Sequence, residues 1–390
     1  MNRFAIVVVA AGLALSSALA SQGRGQFGGE GGSAPLVPEF VHPAGTTPCG
    51  SSSYRSPGVM GASFELAATE TVAVLEEHYR KQLTSAGWRM ESTGGDANGA
   101  FSRFAVASGA TTRVGTLRVA PIQAGRLSVA IRLVESTPPP PPPAEKTESQ
   151  MMDWMLRQLP RSSPADTPAV AAALPNTFPT ELLLARFKSS RILTSGNRVT
   201  VAGTVGNTAP SELGAFLLGL RKAGWISAPT QGFTSVFALG EFCRNDIRAS
   251  LVFNVEPTRV VMAAVSTDHS PNGGCALQAN QSRNFFVPIV VVPSGSAPLI
   301  DGGGGASHWR SGLRLSTSAP IASVLADFES QITAVGYKAV SRTTDAAQSL
   351  VRFESTPEAV APAVLILSLT TLPWSSQIDA VFDVIGSPVR

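Results

Sequence analysis

The feature that most constrains this chain is a helix ending written three times. Ala86-Gly87-Trp88 returns as Ala223-Gly224-Trp225 and, more loosely, as Val335-Gly336-Tyr337. The residues upstream align without gaps. Tyr79, Phe216 and Phe328 stand nine positions before the terminal aromatic, and Leu83, Leu220 and Ile332 stand five before it. Val72, Leu75, Tyr79 and Leu83 mark one helix face in the first copy, and Ile321, Val324, Phe328 and Ile332 do so in the third. Leu213, Phe216, Leu217 and Leu220 keep the stripe in the second. An element repeated at one register implies a repeated structural unit.

The end signals agree with the stripe. Pro210 and Pro320 fall in the first turn, with Thr208 and Ser318 expected as caps. Gly87, Gly224 and Gly336 fit the position just past the helix, where the backbone turns left-handed and a side chain is penalised. The aromatic one residue on then meets the apolar residue at the third position from the end. On this reading Gly87 with Trp88, Gly224 with Trp225, and Gly336 with Tyr337 are structural caps rather than ligand contacts. In the first helix, Glu76–Arg80 and Glu77–Lys81 are i,i+4 pairs that predict a solvated outer face.

Alternating runs follow each helix: 101–108, 113–120 and 126–134; 233–239, 248–255 and 259–265; 349–355, 363–371 and 377–385. One further run precedes each helix, at 62–68, 198–205 and 312–316. The pattern predicts an α+β fold of three βαβββ units, each an antiparallel sheet with one helix on one face, and a short extra strand after the aromatic. The run from Val364 to Leu369 is apolar on both faces and asks for a second cover, either the second unit or another chain.

The units divide the chain as follows: a signal peptide over 1–20, a flexible segment over 21–37, and unit one over 38–135. A proline-rich linker covers 136–175, with unit two over 176–283 and unit three over 284–390, the last two docked. Arg3, the apolar stretch Phe4–Leu15 and the small-x-small run Ala18-Leu19-Ala20 make the export signal, so the expected product is periplasmic or secreted, cut near Ala20. No cysteine follows the cut, so no lipid anchor of the lipoprotein type is expected, and no second segment is long enough to span a membrane. Pro138–Pro143 predicts a stiff spacer of roughly 19 Å at 3.1 Å per residue. Met152, Met155 and Leu159 beyond it fit either a short sticky helix or plain linker.

Composition excludes some functions. The 30 basic and 27 acidic residues are scattered, with no basic run, which argues against nucleic acid as a partner. Gly23-x-Gly25-x-x-Gly28 matches a dinucleotide string, but it follows the export signal rather than a strand, and Gly302–Gly305 lacks the lysine of a phosphate loop. The histidines and cysteines lack zinc-ligand spacing, so neither metal nor cofactor is expected. The one cluster with candidate binding chemistry is Asp301, Ser307, His308 and Trp309, which gathers an acid, a hydroxyl, an imidazole and an aromatic on what reads as a mobile, glycine-rich loop.

The pattern Tyr79-x-x-x-Leu83-x-x-x-Gly87-Trp88 resembles the helix unit of exported bacterial proteins of unknown function, where it follows a strand and precedes an antiparallel sheet. The resemblance covers the helix in each copy. It implies a fold and an exported setting and carries no catalytic residues. Only apolar and backbone-shaping residues recur at matched positions, which favours a non-enzymatic envelope protein that binds another protein or an envelope polymer. The alternative is a hydrolase with its site on the 301–309 loop or between units two and three.

In an oxidising compartment Cys243 and Cys275, both within unit two, are the expected disulfide, and Cys49 is left free or paired across units. Closing that loop would contribute about 3–4 kcal/mol by the chain-entropy argument. Non-reducing mass mapping of the exported protein should recover the Cys243 and Cys275 peptides cross-linked. Recovery of both as free thiols would end the assignment.

Overall fold

The computed structural model describes residues 37–56, 58–108, 111–135, 167–228, 232–234, 237–256, 259–269, 285–292, 299–304, 308–355, 362–372 and 377–386. The export signal, the polyproline run, Met152–Leu159, Cys275 and Ser307 lie outside these residues. The chain divides into two compact units, Met1–Pro138 and Pro139–Arg390.

The first unit holds β1 (Thr47–Ser56), β2 (Val59–Ala67), α1 (Val72–Ser85), β3 (Arg89–Asp96), β4 (Gly99–Ser108), β5 (Thr111–Gln123) and β6 (Arg126–Glu135). The strands form one antiparallel sheet in the order β1-β2-β6-β5-β4-β3. The helix lies on one face, where Leu75, Tyr79 and Leu83 pack with Leu66, Phe104, Leu117, Val129, Ile131 and Leu133. Thr71 caps its start by accepting from the Val74 amide.

The second unit repeats this twice, after a short helix α2 (Thr167–Ala172) whose Val170 is fully buried in the core. Its first sheet comes from β7 (Phe187–Ser195), β8 (Arg198–Thr208), α3 (Pro210–Lys222), β9 (Ile226–Ala228), β11 (Phe237–Arg244), β12 (Ile247–Glu256) and β13 (Arg259–His269). Its second comes from β15 (Leu299–Gly304), β16 (His308–Ser316), α4 (Ile321–Ala334), β17 (Tyr337–Thr344), β18 (Gln348–Ser355), β19 (Ala363–Leu372) and β20 (Gln377–Gly386). Both six-stranded sheets keep the strand order of the first. Two short strands, β10 (Phe233–Thr234) and β14 (Val290–Val291), pair with each other in parallel.

These sheets correct the expected βαβββ unit. Each copy has two strands before the helix and four after it, so the protein is dominated by antiparallel sheet rather than a balanced α+β array. The outer strands escaped the pattern for a physical reason. β1, β7 and β15 read TPCGSSSYRS, FKSSRILTS and LIDGGG, and an edge strand needs only backbone groups to pair. Gly302–Gly304 are therefore strand rather than the expected mobile loop; with Asp301 they pair opposite Trp309–Gly312.

At each helix end Gly87, Gly224 and Gly336 adopt φ of 89°, 88° and 91°. The Trp88 and Trp225 amides reach back to the carbonyls of Leu83 and Leu220, both at 3.0 Å. The aromatic then drops onto the sheet: Trp88, Trp225 and Tyr337 are at most 2% exposed. Gly115 in mid-β5 makes room for Trp88, since a Cβ there would collide with the indole. At the helix starts two expectations are corrected. Ala209 and Pro320 occupy the cap positions of α3 and α4, instead of Thr208 and Ser318, and neither offers a capping side chain.

A third correction concerns α1. Glu77 and Lys81 form the solvated pair, but Glu76 is only 6% exposed and accepts from the Ser102 hydroxyl and from Arg80. A buried carboxylate needs such partners to offset its lost hydration.

The two sheets of the second unit share one core. Its seam depends on a broken edge strand. β3 and β17 each run eight residues along their sheets, whereas β9 runs three, after which the chain crosses to the neighbouring repeat as β10. There Phe233 sits between Phe328 of α4 and Phe382 of β20, with ring centroids 5.1 and 4.9 Å away. The Phe233 amide donates to the Ser311 hydroxyl at 3.0 Å. Helix α3 packs on α4, where a side chain on Gly214 would strike Val335. Both faces of β19 are buried, with Leu365, Leu367 and Leu369 under α4 and Val364 and Ile366 on the other side.

Phe233→Ala should therefore destabilise the second unit by about 3–5 kcal/mol, the cost of emptying an aromatic site. Chemical denaturation followed by hydrogen exchange should localise the loss to α3, α4 and their sheets, with α1 unaffected.

Candidate functional site

The structure separates the cluster proposed from sequence. Asp301 stands on edge strand β15 opposite Gly312, and Ser307 is outside the described residues. His308 and Trp309 are adjacent on β16 and so point to opposite faces. Trp309 packs against the core. His308 turns to the face away from α4, where its partner is Asp383 of β20 instead of Asp301.

That pairing follows from register. On β16 the residues His308, Arg310 and Arg314 share a face, and Arg310 and Arg314 lie directly opposite Asp383 and Asp379 of β20. Arg310 Nε donates to Asp383 Oδ1 at 2.7 Å, and His308 Nε2 lies 3.1 Å from the same oxygen. Asp383 is 1% exposed and Arg310 5%, so the pair is buried, while the His308 side chain stays partly open. A carboxylate and the imidazole it orients are two of the three members of a hydrolytic triad. Here the arginine also claims the carboxylate, and no hydroxyl bonds to the imidazole among the described residues.

A second constellation went unread in the sequence. Before its first strand, each repeat runs a strap across its helix. In the first repeat, the Val41 amide donates to Gln82 Oε1 at 2.9 Å and Gln82 Nε2 donates to the Val41 carbonyl at 2.8 Å. In the third, the Val291 amide donates to Gln331 Oε1 at 2.8 Å and Gln331 Nε2 donates back to the Val291 carbonyl at 3.0 Å. Both glutamines stand six residues before the terminal aromatic. A side-chain amide thus acts as a one-residue strand, satisfying both polar groups of the residue it clamps.

The signal that would have found the straps is Val37-Pro38-x-x-Val41-x-Pro43, which returns as Val287-Pro288-x-x-Val291-x-Pro293. Phe178-Pro179-x-x-Leu182 is the second copy. There Gly219 replaces the glutamine, and the strap coils into a 3-10 turn over Thr180–Leu182. Glu181 of that turn accepts from Trp225 Nε1 and pairs with Arg244, whose guanidinium lies 4.6 Å from the indole centre.

The third strap is enclosed: Phe285–Val292 are buried, Arg221 donates to the Phe285 carbonyl at 2.5 Å, and the Tyr337 hydroxyl donates to that of Phe286 at 2.6 Å. Burial lowers the Arg221 pKa and raises that of Tyr337. The first strap is open. Val41 is 70% exposed, and beneath it Phe40, His42, Phe64 and Tyr79 form an aromatic cluster, with His42 Nδ1 2.8 Å from the Tyr79 hydroxyl. Burial pushes the Tyr79 phenol up to about 12. His78 Nε2 lies 2.7 Å from the Val41 carbonyl.

An open depression of about 520 Å³ at the start of α1 is lined by Glu70, Thr71, Val72, Ala73, Asp96, Ala97, Pro121 and Leu127. It brings together two carboxylates and no base. Among the described residues, no three His, Cys, Asp or Glu side chains stand close enough to hold a metal ion. Cys243 is buried, whereas Cys49 is exposed and free.

Neither a protein-family model nor a curated protein matches the chain. Among solved structures, it is similar to a conserved protein of unknown function with a hot dog fold from Alicyclobacillus acidocaldarius. The match has 9% identity, covers 51% of this chain and 96% of that one, and has a TM-score of 0.12. At that score the likeness carries no argument about fold or activity.

Burial, and then the nearby His78, lower the His42 pKa below 6.5. The unfolded chain binds that proton more readily than the folded one. His42 therefore contributes full stability above about pH 6.5, and the contribution falls as pH drops through 6.5 towards the folded value. Hydrogen exchange at the Val41 amide should accelerate relative to intrinsic rates between pH 7.5 and 5, and His42→Gln should flatten that slope.

Proposed function

We propose that this chain is an exported, non-enzymatic protein that acts as an interaction scaffold, binding a protein or polymer of the cell envelope through its repeated sheet-and-helix units. The observation that carries this reading is the parallel pairing of Phe233–Thr234 with Val290–Val291. One repeat takes up an extended stretch of another through backbone bonds, which is the chemistry of strand addition at a binding surface. The apolar N-terminal stretch Phe4–Leu15 supports the exported setting. Among the described residues no helix is long and apolar enough to cross a membrane.

The second reading is a hydrolase, and the observation in its favour is the His308–Asp383 contact. The two readings part in one pair of measurements. Affinity capture with the mature protein from envelope extract should retain one stoichiometric partner, and His308→Ala should leave that capture unchanged. Turnover in a broad hydrolase screen, lost on His308→Ala and with no partner retained, would reverse the order.

A further inference from the structure

The first and third repeats carry the same strap, clamped by the same glutamine, yet among the described residues only the third strap has its outer edge filled. In the third repeat, the Val291 backbone faces Gln331. The amides on either side point the other way: Val290 donates to the Gly232 carbonyl at 3.0 Å and Val292 to the Thr234 carbonyl at 2.8 Å. That alternation is a property of any extended backbone. With Val41 turned to Gln82, the amides of Phe40 and His42 must point outward in the same manner. Among the described residues neither amide has a hydrogen-bond partner, and Val41 between them is 70% exposed where Val291 is 2% exposed.

We infer that the outer edge of the first strap, Phe40–His42, is a docking site for an extended segment of a partner polypeptide, which adds as a parallel strand as Phe233–Thr234 does on the third. This rests on the scaffold reading and names the recognition surface within it. The fit differs in one respect. In the third repeat the incoming strand also supplies Phe233, which fills the space beside Phe328. In the first, that space is filled from within. Phe40 stands where the third repeat has Val290, and its ring lies 5.8 Å from Tyr79 and 5.7 Å from Phe64. The partner segment therefore needs no aromatic anchor. It is recognised by its main chain and by an apolar side chain that can cover Val41, so binding is tolerant of sequence and weak, as strand addition without a pocket is.

The test uses a fluorescent peptide with the sequence of residues 228–236, titrated into the full chain. Saturable binding is expected, and hydrogen exchange in the complex should slow at Phe40 and His42. The same peptide with the Phe233→Ala change should bind within twofold. His42→Pro removes the outward amide and should weaken binding at least tenfold, with protection of the Val41 amide retained as the sign that the strap is still clamped. An absence of saturable binding overturns the proposal. So does protection that maps to Val290–Val292, or a His42→Pro chain that binds normally. Any of these would leave the envelope capture experiment, and with it the scaffold reading, untouched.

Discussion

A glycine in the left-handed region at the end of each helix is the constraint on which the rest depends. At φ near +90° it reverses the chain within one residue, so the next side chain falls back onto the sheet that the helix covers. Trp88, Trp225 and Tyr337 are among the largest fully or nearly fully buried side chains, and each sits where helix and sheet would otherwise part. With that corner set, the helix has one possible face for the sheet, and the strap has one remaining groove to follow across it. The glutamine one and a half turns before the corner then holds the strap in place.

Given this common frame, the repeats diverge by exchanging parts. The first completes its own edge: its outer strand runs full length, and Phe40 with Phe64 fills the space at the strap. The second gives up most of its edge strand and its clamp, with Gly219 where glutamine stands elsewhere. The third receives the displaced segment. Buried polar groups at this seam are satisfied across it: Ser311 accepts from the Phe233 amide, and Arg221 donates to the Phe285 carbonyl. An aromatic with its neighbouring amide capped is a strong local tie, and two repeats bound so share one hydrophobic core.

The sequence made the helices and their endings legible because those are local: periodicity, a proline and a glycine lie within one stretch of chain. Strands with a buried face were legible for the same reason. The polar edge strands were not, since TPCGSSSYRS and LIDGGG pair through backbone groups that carry no side-chain signature. The candidate cluster failed through distance. Asp301 is seven residues from His308, but the acid that meets the imidazole is Asp383, 75 residues on and set there by strand register. The straps were legible in principle, because Val-Pro-x-x-Val-x-Pro is written twice, yet prolines read as punctuation hide a segment that packs.

The short β9 has a consequence for the order in which this chain can acquire structure. A repeat whose edge strand is completed on its successor has no finished form of its own. Its crossing segment has an apolar site only once α4 and β20 exist, and those are made well after it during synthesis. The second and third repeats, which share one core, are thus expected to fold together, whereas the N-terminal repeat closes on contacts already present when its last strand emerges. Two units built from the same motif are therefore expected to mature on different schedules.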